Sequence, residues 1–112
     1  MSHHEHQSCI EACVQCATEC GHCFEACLSE PNIAELADCI RLDCDCAQIC
    51  LTAVAYMSRG SQFASHICQN CAEICDACAE SCERHDHEHC QRCAEACRHC
   101  AEECRNMAGA AV

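Results

Sequence analysis

The chain predicts an all-α fold, an antiparallel up-down-up-down four-helix bundle with a cysteine-lined core. Two observations carry that expectation: cysteines recur in alternating steps of three and four residues, and they do so in groups parted by short polar breaks. In the first group, Cys9, Cys13, Cys16, Cys20, Cys23 and Cys27 repeat with a period of about 3.5 residues, which keeps every member on one helix face. A strand would scatter the same residues over both faces.

The first helix is expected over residues 5–28. It stops at Ser29-Glu30-Pro31-Asn32, which holds the single proline, with Asn32 as candidate cap for the next helix. The second, over 33–58, is irregular: Cys39, Cys46 and Cys50 share a face with Leu36, Ala53 and Met57, Asp43 takes the slot between Cys39 and Cys46, and Cys44 points the other way. Ser58-Arg59-Gly60-Ser61 ends it with a glycine suited to a helix C-terminus and a serine able to cap the third helix. The third, over 62–85, aligns Cys68, Cys71, Cys75, Cys78 and Cys82, with His85 continuing their face. The fourth, over 87–107, aligns Cys90, Cys93, Cys97, Cys100 and Cys104. Cys-Ala-Glu recurs at 71, 93 and 100, as in diverged copies of one helical unit. Connections this short force antiparallel neighbours, and a chain of 112 residues has room for one domain, residues 1–112.

Twenty of the 112 residues are cysteine, a content that points to a disulfide scaffold or a metal protein. The N-terminal Met-Ser-His-His-Glu-His-Gln-Ser carries no basic segment followed by an apolar one. The rest of the chain has no run of about 18 apolar residues, so a cytoplasmic chain without a membrane span is expected. Thiols stay reduced in the cytosol, which favours metal over disulfides. Residues three or four apart on a helix have Cβ atoms about 5–6 Å apart, beyond the roughly 3.5–4.5 Å of a disulfide, so only bonds between facing helices remain as an alternative. A formal charge of −12 argues against nucleic acid and anionic membrane as partners and favours attraction of cations.

A core of cysteines is poorly packed when empty, because each side chain has one heavy atom beyond Cβ; bound metal would fill it and cross-link the helices. An ion held by two thiolates at about 2.3 Å sets the sulfurs about 4.6 Å apart, within reach of small rotamer changes. Copper(I) is soft, selects thiolate and is the expected cargo, several ions per chain with a ceiling near one per inward cysteine. The expected ligands are all the cysteines named above except Cys44. A zinc or cadmium buffer of metallothionein type is the competing reading, although an uninterrupted array has few residues to separate one four-thiol site from the next. Iron–sulfur ligation is disfavoured because the ferredoxin run ending in Cys-Pro is absent. No cysteine stands apart beside a base, as an enzyme's nucleophile would, so no catalytic activity is expected.

In this topology one end of the bundle gathers His85, His87 and His89 with Cys27, Cys82 and Cys90. These histidines are expected to be labile outer ligands at the mouth through which metal passes, the alternative being a solvated polar turn. The opposite end carries Met57, Phe63, Ile67 and Met107 and reads as an apolar plug, with the methionines as packing. His6 extends the first helix's seam toward that end as a further candidate ligand. His22, His66 and His99 fall outward, and His3 and His4 belong to the terminus. For Asp43 three outcomes stay open: reaching the surface, hydrogen-bonding a thiol, or interrupting the metal array. A second apolar stripe through Ile10, Val14, Phe24, Leu28, Ile33, Ile40, Leu51 and Val54 predicts a homo-oligomer joined through the first two helices, unless it only broadens the core.

The chain resembles the cytosolic copper storage proteins, a bacterial family of cysteine-lined four-helix bundles, over nearly its whole length. The likeness rests on the run Cys9-x3-Cys13-x2-Cys16-x3-Cys20-x2-Cys23-x3-Cys27, on Cys39-Ile-Arg-Leu-Asp43 leading to Cys46 and Cys50, and on His85-Asp-His-Glu-His-Cys90. It implies a homotetramer that holds many copper(I) ions inside each bundle, with histidines near one open end. No ligand function carries over to Cys44, which lies outside the inward pattern.

Overall fold

The structure, a computed structural model, describes residues 6–110, so His3 and His4 lie outside the described residues. Among the described residues four α-helices form: α1 (Gln7–Leu28), α2 (Ala37–Ser58), α3 (Ala64–Glu83) and α4 (Glu88–Ala110). Each turns its cysteine seam inward. On α1 the buried residues are Cys9, Ala12, Cys13, Cys16, Cys20, Cys23 and Cys27, the pattern that a three-and-four spacing produces on a helix. Consecutive helices pack side by side and α4 returns against α1, giving a bundle 47 × 18 × 17 Å in extent. Antiparallel pairing is evident from the cross-contacts: Cys9 meets Cys104 at one end, and Cys27 meets Cys90 at the other.

The breaks have local causes. At the end of α1 the amides of Ser29 and Glu30 reach back three residues to Ala26 and Cys27, tightening the last turn before Pro31, which has no amide to donate. A short 3₁₀ turn, Ile33–Leu36, precedes α2 and buries Leu36 fully. Asn32 makes no side-chain cap there; its amide nitrogen donates to Glu35 Oε2 at 3.4 Å instead. After α2, the Gly60 amide donates to Met57 O and the Ser61 amide to Tyr56 O, a Schellman closure that needs a left-handed residue, and Gly60 supplies it at φ 65°. Ser61 Oγ then accepts the amide of Phe63 at 3.1 Å, one residue before α3 begins.

Two expectations are corrected at the helix ends. His85 does not continue the face of α3, because the helix stops at Glu83 and the side chain of Gln91 donates to the His85 carbonyl at 2.6 Å, holding that residue in the connection. Phe63 does not join the apolar plug: it lies outside the first turn of α3 and is 54% exposed. Met57 and Met107 are buried there, and Ile67 is half-buried.

Side-chain bridges on the outside join α4 to its neighbours. Arg98 spans Glu83 and Asp76 on α3, Arg105 reaches Asp76, and Arg92 reaches Glu19 on α1. Each contributes little singly in water. Of the second apolar stripe, Val14, Leu28, Ile33 and Leu51 are exposed, whereas Ile10, Ile40 and Val54 pack partly against the core.

Candidate metal centre

All twenty cysteines are free thiols; nineteen are buried and Cys44 alone is exposed. The inward thiols stack in layers, each built from one position on every helix. Cys13, Cys50, Cys71 and Cys100 make a complete layer, with sulfur separations of 3.6 Å (Cys13–Cys100), 3.7 Å (Cys50–Cys71) and 3.8 Å (Cys50–Cys100). One turn toward the histidine end lie Cys16, Cys46, Cys75 and Cys97, where Cys46 is 3.5 Å from Cys75 and Cys16 is 3.6 Å from Cys97. The next layer holds Cys20, Cys78 and Cys93 with Asp43 in the fourth place. Beyond it come Cys23, Cys39, Cys82 and Cys90, with Cys39 and Cys82 2.9 Å apart. In the other direction Cys9, Cys68 and Cys104 share a layer with Ala53, and Cys9 lies 3.6 Å from Cys104.

Layers are linked as closely as their members. Successive thiols on one helix approach to 4.0 Å (Cys16–Cys20), 3.7 Å (Cys23–Cys27), 3.8 Å (Cys71–Cys75) and 4.0 Å (Cys100–Cys104). These separations are shorter than the roughly 4.6 Å of a linear dithiolate ion and match the roughly 4.0 Å edge of a trigonal site with the same bond length. Groups of four sulfurs within 4.8 Å of one another overlap: Cys16 and Cys46 belong both with Cys50 and Cys75 and with Cys20 and Cys97. Among the described residues no bulky apolar side chain is buried between these groups.

Asp43 is fully buried, so of the three outcomes left open for it the side chain does not reach the surface, and it hydrogen-bonds thiols. Its Oδ1 accepts S–H donors from Cys93 at 3.2 Å, Cys78 at 3.3 Å and Cys82 at 3.8 Å, and Oδ2 accepts one from Cys39 at 3.8 Å. Burial, followed by the neighbouring sulfurs of Cys93 and Cys39, pushes its carboxyl up to about 9. The carboxyl therefore stays neutral near pH 7. Burial likewise pushes the Cys27 thiol up to about 11 and raises Cys90. Metal uptake by such thiols must release protons.

At the histidine end the three imidazoles separate. His89 Nδ1 lies 3.6 Å from Cys23 Sγ, 3.8 Å from Cys27 Sγ and 3.6 Å from Cys90 Sγ, while its Nε2 is 2.9 Å from Glu30 Oε2. Donation of Nε2–H to that carboxylate leaves the Nδ1 lone pair toward the thiols, the arrangement by which a carboxylate orients a metal-binding histidine. His87 stacks on His89 with ring centres 5.2 Å apart, and its Nδ1 is 3.4 Å from the same Glu30 oxygen. His85 lies in the connection, half-buried. Sequence reasoning missed Glu30; the one signal was its place beside Pro31 in the break that faces the histidine segment. His22, His66 and His99 are exposed. His6 is buried.

A helical bundle whose interior is a continuous column of thiols, with an imidazole over one end, defines the class: a cysteine-lined four-helix metal-sequestering protein. The chain belongs to the copper storage protein family, which matches residues 2–109. It is 53% identical over 102 residues to the cysteine-rich protein YhjQ of Bacillus subtilis (strain 168), covering 91% of this chain and 94% of that one. The Cu(I)-bound copper storage protein BsCsp3 superposes with a TM-score of 0.88 at 53% identity, covering 91% of this chain and 96% of that structure. A cytosolic copper storage protein from Streptomyces lividans, in a structure with five coppers, superposes at 0.91 with 42% identity, covering 96% of this chain and 94% of its own.

Proposed function

We propose that this chain stores copper(I), holding many ions on its inward thiolates: Cys9, Cys13, Cys16, Cys20, Cys23, Cys27, Cys39, Cys46, Cys50, Cys68, Cys71, Cys75, Cys78, Cys82, Cys90, Cys93, Cys97, Cys100 and Cys104. The observation that carries the reading is the overlap of the four-sulfur groups, since each thiolate then bridges ions in successive layers. Copper(I) accepts two or three thiolates and carries one charge, so a filled column approaches neutrality as metal and sulfur reach parity. An isolated zinc site would instead claim four unshared thiolates.

Uptake proceeds at the end where His89 faces Cys23, Cys27 and Cys90. The imidazole takes an arriving ion without losing a proton and passes it to these thiols as they deprotonate. Glu30 holds the ring in that tautomer, His87 backs it by stacking, and His85 belongs to the outer rim of the same mouth. The protein is cytoplasmic, where thiols remain reduced, and catalyses no reaction, since none of the nineteen inward thiols is set apart from the array as a nucleophile would be. It assembles as a homotetramer through the exposed apolar residues of α1 and α2, the remaining side chains of the stripe serving the core. Competition tests the metal: with copper(I) and excess zinc offered to reduced protein, copper(I) fills the core. Retention of zinc at copper's expense would overturn the reading.

A further inference from the structure

We propose that His6 is a copper(I) ligand that ends the thiolate column at the end opposite His89. The proposal rests on the copper-storage reading and adds a ligand at the end that the mouth histidines do not reach. His6 immediately precedes α1, is 4% exposed, and neither of its ring nitrogens has a hydrogen-bond partner among the described residues. A buried imidazole with both nitrogens unsatisfied is costly in a protein interior, and a bound ion satisfies one of them.

The bundle's register shows what surrounds the ring's level. His6, Met57, Ala64 and Met107 each lie seven residues, two helical turns, beyond Cys13, Cys50, Cys71 and Cys100 respectively, and all four are buried. Between these levels stands the layer of Cys9, Ala53, Cys68 and Cys104. That layer has three thiols, because Ala53 brings no donor. An ion on its outer side lacks a fourth-wall sulfur, and the next level contains one nitrogen donor, His6. Ala64 is small, and Met57 and Met107 are buried at the same level. Imidazole suits copper(I) and binds it without releasing a proton. The column is then closed by nitrogen at both ends, by His89 Nδ1 over Cys23, Cys27 and Cys90 and by His6 beyond Cys9.

The test tracks the histidine ring nitrogens by NMR in reduced, metal-free protein as copper(I) is added without oxygen, with His6→Leu used to identify the His6 signals. The expected result is a new His6 nitrogen resonance that grows as the last ions bind. His6→Leu should also raise the melting temperature of the metal-free protein by about 4–8 °C, because the unsatisfied ring is gone. A His6 signal unmoved while thiolate absorption shows a filled core would overturn the proposal and leave storage intact. Absence of copper uptake by the wild-type chain would overturn storage itself, and the absorption reports that separately.

Discussion

Cys93 Sγ lies 3.2 Å from Oδ1 of Asp43, so a buried carboxyl occupies the place where a fourth thiol would complete the layer of Cys20, Cys78 and Cys93. Neutral, it accepts hydrogen bonds from four thiols. Ionised, it would put a second kind of anion into a column that copper(I) already balances against thiolate.

That carboxyl makes metal-free stability depend on pH. Its folded value, raised from 3.8 to about 9, means that the folded state holds a proton which the unfolded chain releases across that interval. Its stabilising contribution is complete below about pH 4 and is lost as pH rises toward 9. Urea unfolding of reduced, metal-free protein should show wild type losing roughly 4 kcal/mol relative to Asp43→Asn between pH 5 and 8. Parallel profiles for the two proteins would refute this.

Uptake and capacity should separate at the mouth. His89→Ala is expected to slow copper(I) loading by about 10-fold or more while leaving the final number of ions nearly unchanged, and Glu30→Gln should show the same trend more weakly because it only disorients the ring. Stopped-flow absorbance of the copper–thiolate band measures both quantities. A loss of half the capacity with unaltered rate would contradict the assignment.

The thiols should divide by burial, with no single one decisive. Cys44→Ser leaves copper stoichiometry unchanged, because that thiol is exposed. Cys97→Ser lowers it by roughly one or two ions, the loss expected when one bridging sulfur is removed. Metal analysis of loaded, desalted variants distinguishes this from an all-or-none collapse.

Assembly should depend on the outer stripe. Val14 and Leu51 are 46% and 56% exposed on α1 and α2. Changing both to Glu is expected to reduce a tetramer to smaller species by light scattering while helix content and copper capacity persist. A wild-type mass equal to one chain would remove the oligomer altogether.

Much of this architecture could be read from spacing, because a three-and-four alternation leaves a cysteine only one face on a helix, and short polar breaks leave the helices only antiparallel pairing. What spacing could not supply depends on contacts between distant segments. Where α3 ends is fixed partly by Gln91, a residue of the next helix that captures the His85 carbonyl. Phe63 looked apolar enough to plug an end, yet Ser61 accepts its amide and α3 starts after it, leaving the ring outside. Glu30 joined the histidine end only when two connections met and brought its oxygen to His89. Asp43 was visible as an irregularity, but its four thiol donors come from three different helices.

The most direct test of the account counts ions. Reduced, metal-free protein titrated anaerobically with copper(I) against a competing chelator should bind tightly until copper approaches the number of inward thiols, on the order of nineteen per chain. Saturation at four or five ions, the number expected if each claimed four thiolates for itself, would contradict a shared column and with it the storage function.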